Sequence, residues 1–194
     1  MKVSFSNAVI AVLTVLVLLS IPYGEGMTAD SDSTSAPTRY GVAMTGGTTY
    51  RGENVNYGLV TGFALFDYDK IWPHRAPEAL RFKIEASAGT TTHPDKKLLA
   101  SANFFALYYL RGLEARIFKP YVEGGIGVIY TDFKVEGQGL RFNFNPQIGI
   151  GTDIKINPKM EFFVATRLHH VSNAGLDDDN KGINSVLFMI GYYF

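Results

Sequence analysis

The sequence predicts an all-β protein, an eight-stranded antiparallel up-and-down transmembrane β-barrel. Three observations lead to this prediction. The chain begins with an apolar leader typical of exported proteins, apolar and polar side chains alternate over most of the remaining length, and the last residue is aromatic, Phe194. With 194 residues, the chain has room for one domain after such a leader.

The composition excludes several classes of function. The 18 basic and 18 acidic side chains give a formal charge of zero, whereas a general nucleic-acid-binding protein carries a basic excess. The sequence has no cysteine, which excludes disulfides, thiolate metal sites and cysteine nucleophiles. Its four histidines are scattered except for the adjacent His169 and His170, a distribution that does not suit a metal cluster.

The leader, residues 1–26, is predicted to be a secretory signal peptide. Lys2 is followed by an apolar run at residues 8–21, which is shorter than the roughly 20 apolar residues of a membrane-spanning helix. An uncleaved inner-membrane anchor is the alternative. Residues 27–38 are rich in serine, threonine and aspartate and are expected to be flexible, so the barrel is assigned to residues 39–194.

Period-two alternation marks the strands. In residues 80–89 the even positions are apolar and the odd positions are polar or glycine, and residues 142–154 repeat the pattern. Eight such segments are predicted, of which the first, second and fourth alternate less well: residues 40–50, 57–68, 80–90, 98–110, 117–132, 141–154, 160–172 and 182–194. An even number is usual in bacterial outer-membrane barrels, and eight is the smallest size.

The side to which the apolar faces turn separates two architectures. A soluble periplasmic barrel with a lipid-binding interior turns them inward, whereas an outer-membrane barrel turns them toward lipid. The opposite faces mix glycines with charges of both signs, as in a narrow interior where charges pair, and their charged members are Arg81, Lys83, Glu85, Glu123, Asp153, Glu161 and Arg167. The alternating last segment ends on Phe194, which resembles the terminal strand signal of outer-membrane barrels. We therefore expect the apolar faces to contact lipid.

The parity of the strands predicts their orientation. If the N-terminus of the barrel lies in the periplasm, residues 155–159 form a short periplasmic turn and residues 173–181 form a longer outer loop. Short periplasmic turns and long outer loops are the usual arrangement in these barrels.

Several common catalytic motifs are missing from the sequence. There is no P-loop and no H-E-x-x-H motif, and Gly125 and Gly127 are followed by Tyr130 where the dinucleotide fingerprint needs a glycine. Ser87 lacks the first glycine of the hydrolase nucleophile elbow. None of these motifs therefore provides a candidate site, and the serine esterase chemistry considered next is expected to need no metal or other cofactor.

One stretch near the predicted outer rim suits ester chemistry. His170 and Ser172 continue the lipid-facing row of the seventh segment, where residues two apart are neighbours, and the imidazole can activate the hydroxyl. Asn184, on the outward row of the antiparallel last segment, is expected beside His170 and can fix its tautomer. Asn173 and the backbone at Gly175 can donate to an oxyanion. Polar residues at the membrane rim, without catalysis, are the alternative.

The same stretch resembles a known family. Residues 170–173 (His-Val-Ser-Asn), followed by Gly175 and an acidic loop, are similar to the lipid A 3-O-deacylases, also called acyloxyacyl hydrolases. The resemblance implies an eight-stranded outer-membrane barrel with its active site on the outside wall, at the level of lipid A. It implies Ser172 as nucleophile, His170 as general base and acid, and Asn173 with the Gly175 backbone as oxyanion donors. The family pattern has a glutamate where this chain has Asn184.

From these points we expect an outer-membrane serine esterase that removes the 3-O-linked acyl chain of lipid A in lipopolysaccharide. A non-catalytic small outer-membrane barrel with a structural or surface-interaction role is the alternative, and Asn184 favours it. The remaining polar residues near the site are expected to be solvated in the loop (Asp177, Asp178, Asp179) or to face inward (Glu123, Glu161, His169). The sequence leaves open whether two copies form a homodimer.

Overall fold

The computed structural model describes residues 37–68 and 76–194, so the predicted signal peptide and most of the predicted flexible segment lie outside the described residues. The strands are β1 (Arg39–Arg51), β2 (Asn56–Asp67), β3 (Leu80–His93), β4 (Leu98–Tyr109), β5 (Phe118–Thr131), β6 (Phe142–Phe144), β7 (Gln147–Asn157), β8 (Met160–Val171) and β9 (Ile183–Tyr193). A 3-10 turn, Arg111–Leu113, lies between β4 and β5. Within the described ranges, no helix has the length and apolar character needed to cross a membrane.

The sheet closes on itself. Strand β1 pairs with both β2 and β9, and β4 pairs with β5, so that no edge of the sheet is left open. Every pairing is antiparallel. Almost all pairings join neighbours along the chain, which is the topology of an up-and-down barrel. Each of the eight predicted segments contains a strand, and the predicted fold class is confirmed.

The sixth predicted segment is divided into β6 and β7 because Pro146 lies between them. Proline has no N–H to donate to a strand ladder, so the regular pairing stops there. The register against β5 nevertheless continues, since Phe144 pairs with Val128 before the break and Gln147 pairs with Gly125 after it. The nine named strands therefore occupy eight positions in the barrel.

The apolar rows face outward, as predicted. Large apolar side chains at the even positions of β7, β8 and β9 are exposed on the wall of the barrel, among them Ile148, Ile150, Leu168, Phe188 and Ile190. Such a surface is costly in water and is stable against hydrocarbon, so the wall suits a lipid environment.

A layer of paired charges crosses the middle of the barrel. Arg167 donates to both oxygens of Glu85 at 2.7 and 2.8 Å, and its Nε donates to Glu123 at 2.7 Å. The Nζ of Lys83 lies 3.1 Å from Glu85 and 2.5 Å from Glu123. Two cations and two carboxylates thus compensate one another. Removing one partner from such a buried set typically costs about 3–5 kcal/mol.

Apolar clusters fill the barrel on either side of this charged layer. One contains inward-facing Phe63 and Leu65 of β2 together with Leu107 of β4, and the other contains Ile129 and Val171. These inward apolar side chains explain why the second and fourth segments alternate poorly in the sequence. The interior is packed with side chains, as expected for a barrel of this size.

The two ends of the barrel differ in the connections that matter for the candidate residues. Strands β7 and β8 are joined by a tight turn at residues 158–159, within the predicted short turn. Strands β8 and β9 are joined by the longer β8–β9 loop, residues 172–182. The candidate residues therefore gather at the end of the barrel opposite the tight turn.

Candidate active site

Strand β8 separates two adjacent histidines. Its odd residues face the interior and its even residues face outward, so His169 and His170 lie on opposite sides of the wall. His169 is buried, with its Nδ1 3.2 Å from the hydroxyl of Tyr57, and it faces inward as expected. His170 is half-buried on the outer wall, in the row that contains Leu168.

His170 is oriented by Asn184 on the neighbouring strand. The two residues are direct cross-strand partners in β8 and β9, and Nδ1 of His170 lies 2.8 Å from Oδ1 of Asn184. Because an amide oxygen only accepts hydrogen bonds, Nδ1 must be the protonated nitrogen in this contact. In the neutral imidazole, Nε2 then holds the lone pair and is the basic nitrogen.

Ser172 lies on the same face as His170, just beyond the end of β8. It pairs with Phe144 through two backbone hydrogen bonds of 2.8 and 3.0 Å, and the N–H of His170 donates to Pro146 at 3.1 Å, so the register of the wall continues to Ser172. The side chain is only 2% exposed, and its hydroxyl has no hydrogen-bond partner among the described residues, His170 included. In unliganded active sites the hydrogen bond between a serine nucleophile and its histidine base is often long, and it shortens when substrate binds.

Gly182 leaves room for the imidazole. Its φ of 72° is in the left-handed region that favours glycine. A Cβ at this position would lie 2.9 Å from Cε1 of His170 and 3.4 Å from Nε2. The backbone conformation therefore favours glycine here, and an added methyl group would displace the imidazole of His170.

The predicted oxyanion donors are engaged within the β8–β9 loop. The N–H of Asn173 donates to Oδ1 of Asn180 at 2.9 Å, and its side-chain amide donates to the carbonyls of Asp179 and Asp177 at 3.0 and 3.4 Å. The N–H of Gly175 donates to Oδ1 of Asn173 at 2.8 Å. The donors of Asn173 and Gly175 are thus bound to acceptors inside the loop. Asp177 and Asp179, which were expected to be solvated, help to hold the turn through their backbone carbonyls.

Ala174 adopts a strained backbone conformation between these two donors. Its φ is 58°, and among the described residues it is the one position other than glycine with a positive φ. For an L-residue this conformation costs about 1–2 kcal/mol. No described group accepts a hydrogen bond from its N–H. Strain of this kind is concentrated at functional sites, and here it directly follows the Ser172–Asn173 pair.

The other candidate residues lie away from this site. Glu123 belongs to the buried charge layer, Glu161 pairs with Arg39 at 2.9 Å, and Ser87 shares a 2.8 Å hydrogen bond with Thr61. Within residues 37–68 and 76–194, no group of three His, Cys, Asp or Glu side chains is arranged to hold a metal ion.

An apolar groove lies on the outer wall beside the site. It has a volume of about 330 Å³. Its lining includes Val122, Ile148, Ile150, Thr166 and Leu168. Leu168 precedes His170 by two residues on the same face, so the groove lies on the same lipid-facing wall as the candidate site and ends one outward position before His170.

Comparison with known proteins establishes the family. The family model for lipid A 3-O-deacylase (PagL) matches residues 38–193, which is most of the chain. The chain belongs to the lipid A 3-O-deacylase family. This lipid A 3-O-deacylase family member is 28% identical over 144 residues to the lipid A deacylase PagL of Pseudomonas aeruginosa, covering 74% of this chain and 79% of that protein.

Solved structures agree with the fold of this lipid A 3-O-deacylase family member. The crystal structure of the outer membrane enzyme PagL matches with a TM-score of 0.54 and 23% identity, covering 78% of this chain and 97% of that one. Neisserial surface protein A matches with a TM-score of 0.57 and 13% identity, covering 80% and 94%. The chain is an outer-membrane β-barrel and an acyl-removing hydrolase.

Two residues that contact the site, Gly182 and Asn180, were not among the residues predicted from the sequence. Gly182 could have been noticed from its position opposite Ser172 when the register of the last two strands is extended. Asn180 gave no signal in the sequence, because contacts between loops have no periodicity.

Proposed function

We propose that the chain is a serine carboxylic-ester hydrolase that removes the 3-O-linked acyl chain of lipid A. The observation that carries this proposal is the 2.8 Å contact between Nδ1 of His170 and Asn184 on the lipid-facing wall. It makes Nε2 of His170 the basic nitrogen, and Ser172 is the next side chain on the same face. A base beside a serine hydroxyl is the arrangement that nucleophilic ester cleavage needs.

The reaction takes place in two steps. Oγ of Ser172 attacks the ester carbonyl carbon while Nε2 of His170 accepts the hydroxyl proton. The bond between that carbon and the sugar oxygen then breaks, His170 gives the proton to the leaving sugar oxygen, which becomes a hydroxyl, and the acyl group stays on Ser172. In the second step a water molecule, deprotonated by His170, attacks the acyl carbon. Ser172 recovers its proton and the fatty acid is released.

The turn after Ser172 stabilises the oxyanion, the negatively charged oxygen that forms on the ester carbon when Ser172 attacks. In our proposal the side-chain amide of Asn173 and the N–H of Gly175 have these roles, while the N–H of Asn173 stays bound to Asn180. The N–H of Ala174 lies between the two donors in the chain. Because the Gly175 N–H donates to the Asn173 side chain in the unliganded protein, the oxyanion would replace that acceptor. A single donor of this kind contributes about 2.7–4 kcal/mol to transition-state stabilisation.

The position of the site on the outer wall suits a lipid substrate. The groove that contains Ile148 and Leu168 offers an apolar surface beside His170 along which an acyl chain would lie. A lipid A molecule in the outer leaflet is already confined to the membrane plane, which supplies part of the orientation that a pocket otherwise provides. All the assigned residues come from one chain, so the reaction requires no homodimer, and its steps need no metal or cofactor.

Asn184 makes this site differ from a triad with a carboxylate. Its amide oxygen fixes the tautomer of His170 but carries no charge to stabilise the imidazolium that forms during attack. We therefore propose that the site works with a weaker electrostatic contribution from its third member, while its geometry is kept.

The proposal is tested by mass spectrometry of lipid A from cells that produce the wild type, Ser172→Ala or His170→Ala. We expect the loss of one 3-linked hydroxyacyl group with the wild type and intact lipid A with both variants. The amount of folded barrel in outer-membrane fractions is compared on unboiled gels. Intact lipid A in all three strains, at equal amounts of folded barrel, would instead support a non-catalytic barrel.

A further inference from the structure

A short ladder joins the loop that contains Ser172 to another loop of the barrel. The β5–β6 loop, residues 132–141, runs antiparallel to the β8–β9 loop. The N–H of Gly139 donates to Asp179 at 2.7 Å, and the N–H of Lys181 donates to Gly137 at 2.8 Å. Between these two bonds, Gln138 and Asn180 form an isolated bridge. The β8–β9 loop is thus paired along its returning half.

Asn180 connects this ladder to the candidate nucleophile. Its side-chain oxygen accepts the N–H of Asn173, the residue that follows Ser172, at 2.9 Å. Asn173 is 1% exposed, so its N–H would otherwise be buried without an acceptor. The position of the backbone next to Ser172 therefore depends on where the ladder holds Asn180.

The β5–β6 loop is itself fixed at two points. The N–H of Glu136 donates to the carboxylate of Glu53 at 2.8 Å, and Val135 is buried in the same apolar cluster as Val171. Its contact with the β8–β9 loop is close, because a Cβ on Gly139 would lie 2.0 Å from Oδ1 of Asp177. The loop is therefore a built support and not a loose neighbour.

We propose that Asn180, held by the β5–β6 loop, is a positioning residue for Ser172 and for the turn that follows it. This inference rests on the proposed function. Ala174 with a φ of 58° and Gly175 with a φ of 84° form a turn that keeps this conformation only if contacts hold both of its ends. Asn180 holds the end next to Ser172 by accepting the N–H of Asn173. Without its oxygen, Asn173 turns to another acceptor, and Ser172 and the N–H groups after it lose their alignment with His170.

The test compares Asn180→Ala with Asp178→Ala, which changes an exposed residue in the same loop with no hydrogen bond to the turn. For Asn180→Ala we expect kcat on lipid A to fall about ten- to a hundredfold with KM unchanged, the size of effect that a small misplacement of a reacting group produces. The rate at which a fluorophosphonate probe labels Ser172 should fall in parallel. Asp178→Ala should match the wild type in both measurements, and all variants should show the same folded fraction on unboiled gels.

Two further variants separate positioning from a general loss of structure. Asn180→Asp keeps an oxygen acceptor and should restore most of the labelling rate. Gly139→Ala places a methyl group against Asp177 and should lower kcat although it lies in the other loop, so it decides the matter if Asn180→Ala does not fold. Labelling of Asn180→Ala or Gly139→Ala in proportion to folded protein alone would overturn the inference. Activity of Ser172→Ala would overturn the proposed function instead, since that variant leaves the ladder intact.

Discussion

The charge layer inside the barrel and the candidate site on its outer wall differ in how their polar groups are paired. Inside, Arg167 donates hydrogen bonds to Glu85, to Glu123 and to the amide oxygen of Gln147, and every charge of the middle layer has a partner. On the outer wall, just beyond the end of the same strand, the buried hydroxyl of Ser172 has no partner among the described residues, and Ala174 in the β8–β9 loop has a strained backbone. The inward row of β8 therefore stabilises the barrel, whereas its outward row and the residues that follow it supply the reactive groups.

The adjacent histidines give the strongest test of this division. His170→Ala should lower the rate of lipid A deacylation by at least about a thousandfold, because the nucleophile loses its base. His169→Ala should keep most of the activity and instead lose the contact with Tyr57, at a cost of about 1 kcal/mol of unfolding free energy. Deacylation is measured by mass spectrometry, and stability by urea unfolding followed on unboiled gels.

The outcome for the two histidines has a clear opposite. If His169→Ala abolished activity while His170→Ala retained it, the catalytic row would be the inward one, and the division between stability and reactivity on β8 would be wrong.

The charge layer should matter for stability and not for chemistry. Arg167→Met leaves Glu85 and Glu123 buried with fewer compensating charges and should lower the unfolding free energy by about 3–5 kcal/mol. The matched control is Arg141→Met, which removes a 2.7 Å pair with Asp132 whose side chains are about half exposed. That exposed pair should contribute about 0–1 kcal/mol. Equal destabilisation by the two variants, measured by urea unfolding, would contradict the contrast.

Parity explains how much of this molecule the sequence could predict. Because strand side chains alternate strictly, His169 was predicted inside and His170 outside, and Asn184 was predicted beside His170 by extending the last outward row. The same logic predicted the buried positions of Lys83, Glu85 and the other interior charges. Alternation fails where the ladder ends, so the engagement of Asn173 within its own loop was not predicted.

The contacts between loops could not be predicted from the sequence, for a physical reason. The pairing of Gln138 with Asn180 joins residues that are far apart in the chain and belong to no periodic segment. The break at Pro146 was likewise not predicted, although proline is the residue most able to interrupt a ladder. The register continued across it because neighbouring pairs on both sides hold the strand in place.

Gly182 gives a smaller test on the outer wall. Gly182→Ala places a methyl group 2.9 Å from Cε1 of His170 and puts alanine at a φ of 72°. The backbone strain should cost about 1–2 kcal/mol of stability, and the displaced imidazole should lower kcat by about tenfold or more. Gly52→Ala is the matched control, since Gly52 has no role in the proposed reaction, has a comparable φ of 83° and has nothing within 4 Å of an added methyl group. A similar loss of kcat per folded molecule in both variants would mean that strain, and not contact with His170, is responsible.

The smallest expected effect concerns the residue that departs from the family pattern. Asn184→Ala removes one neutral hydrogen bond from His170, worth about 1–1.5 kcal/mol, and should lower kcat about five- to tenfold. Asn184→Glu should raise kcat by a similar factor, because a carboxylate stabilises the imidazolium that forms in the transition state. The kcat of the wild type and of both variants on lipid A, at equal amounts of folded barrel, measures this. An unchanged kcat in both variants would show that the residue at this position does not act on the reaction through His170.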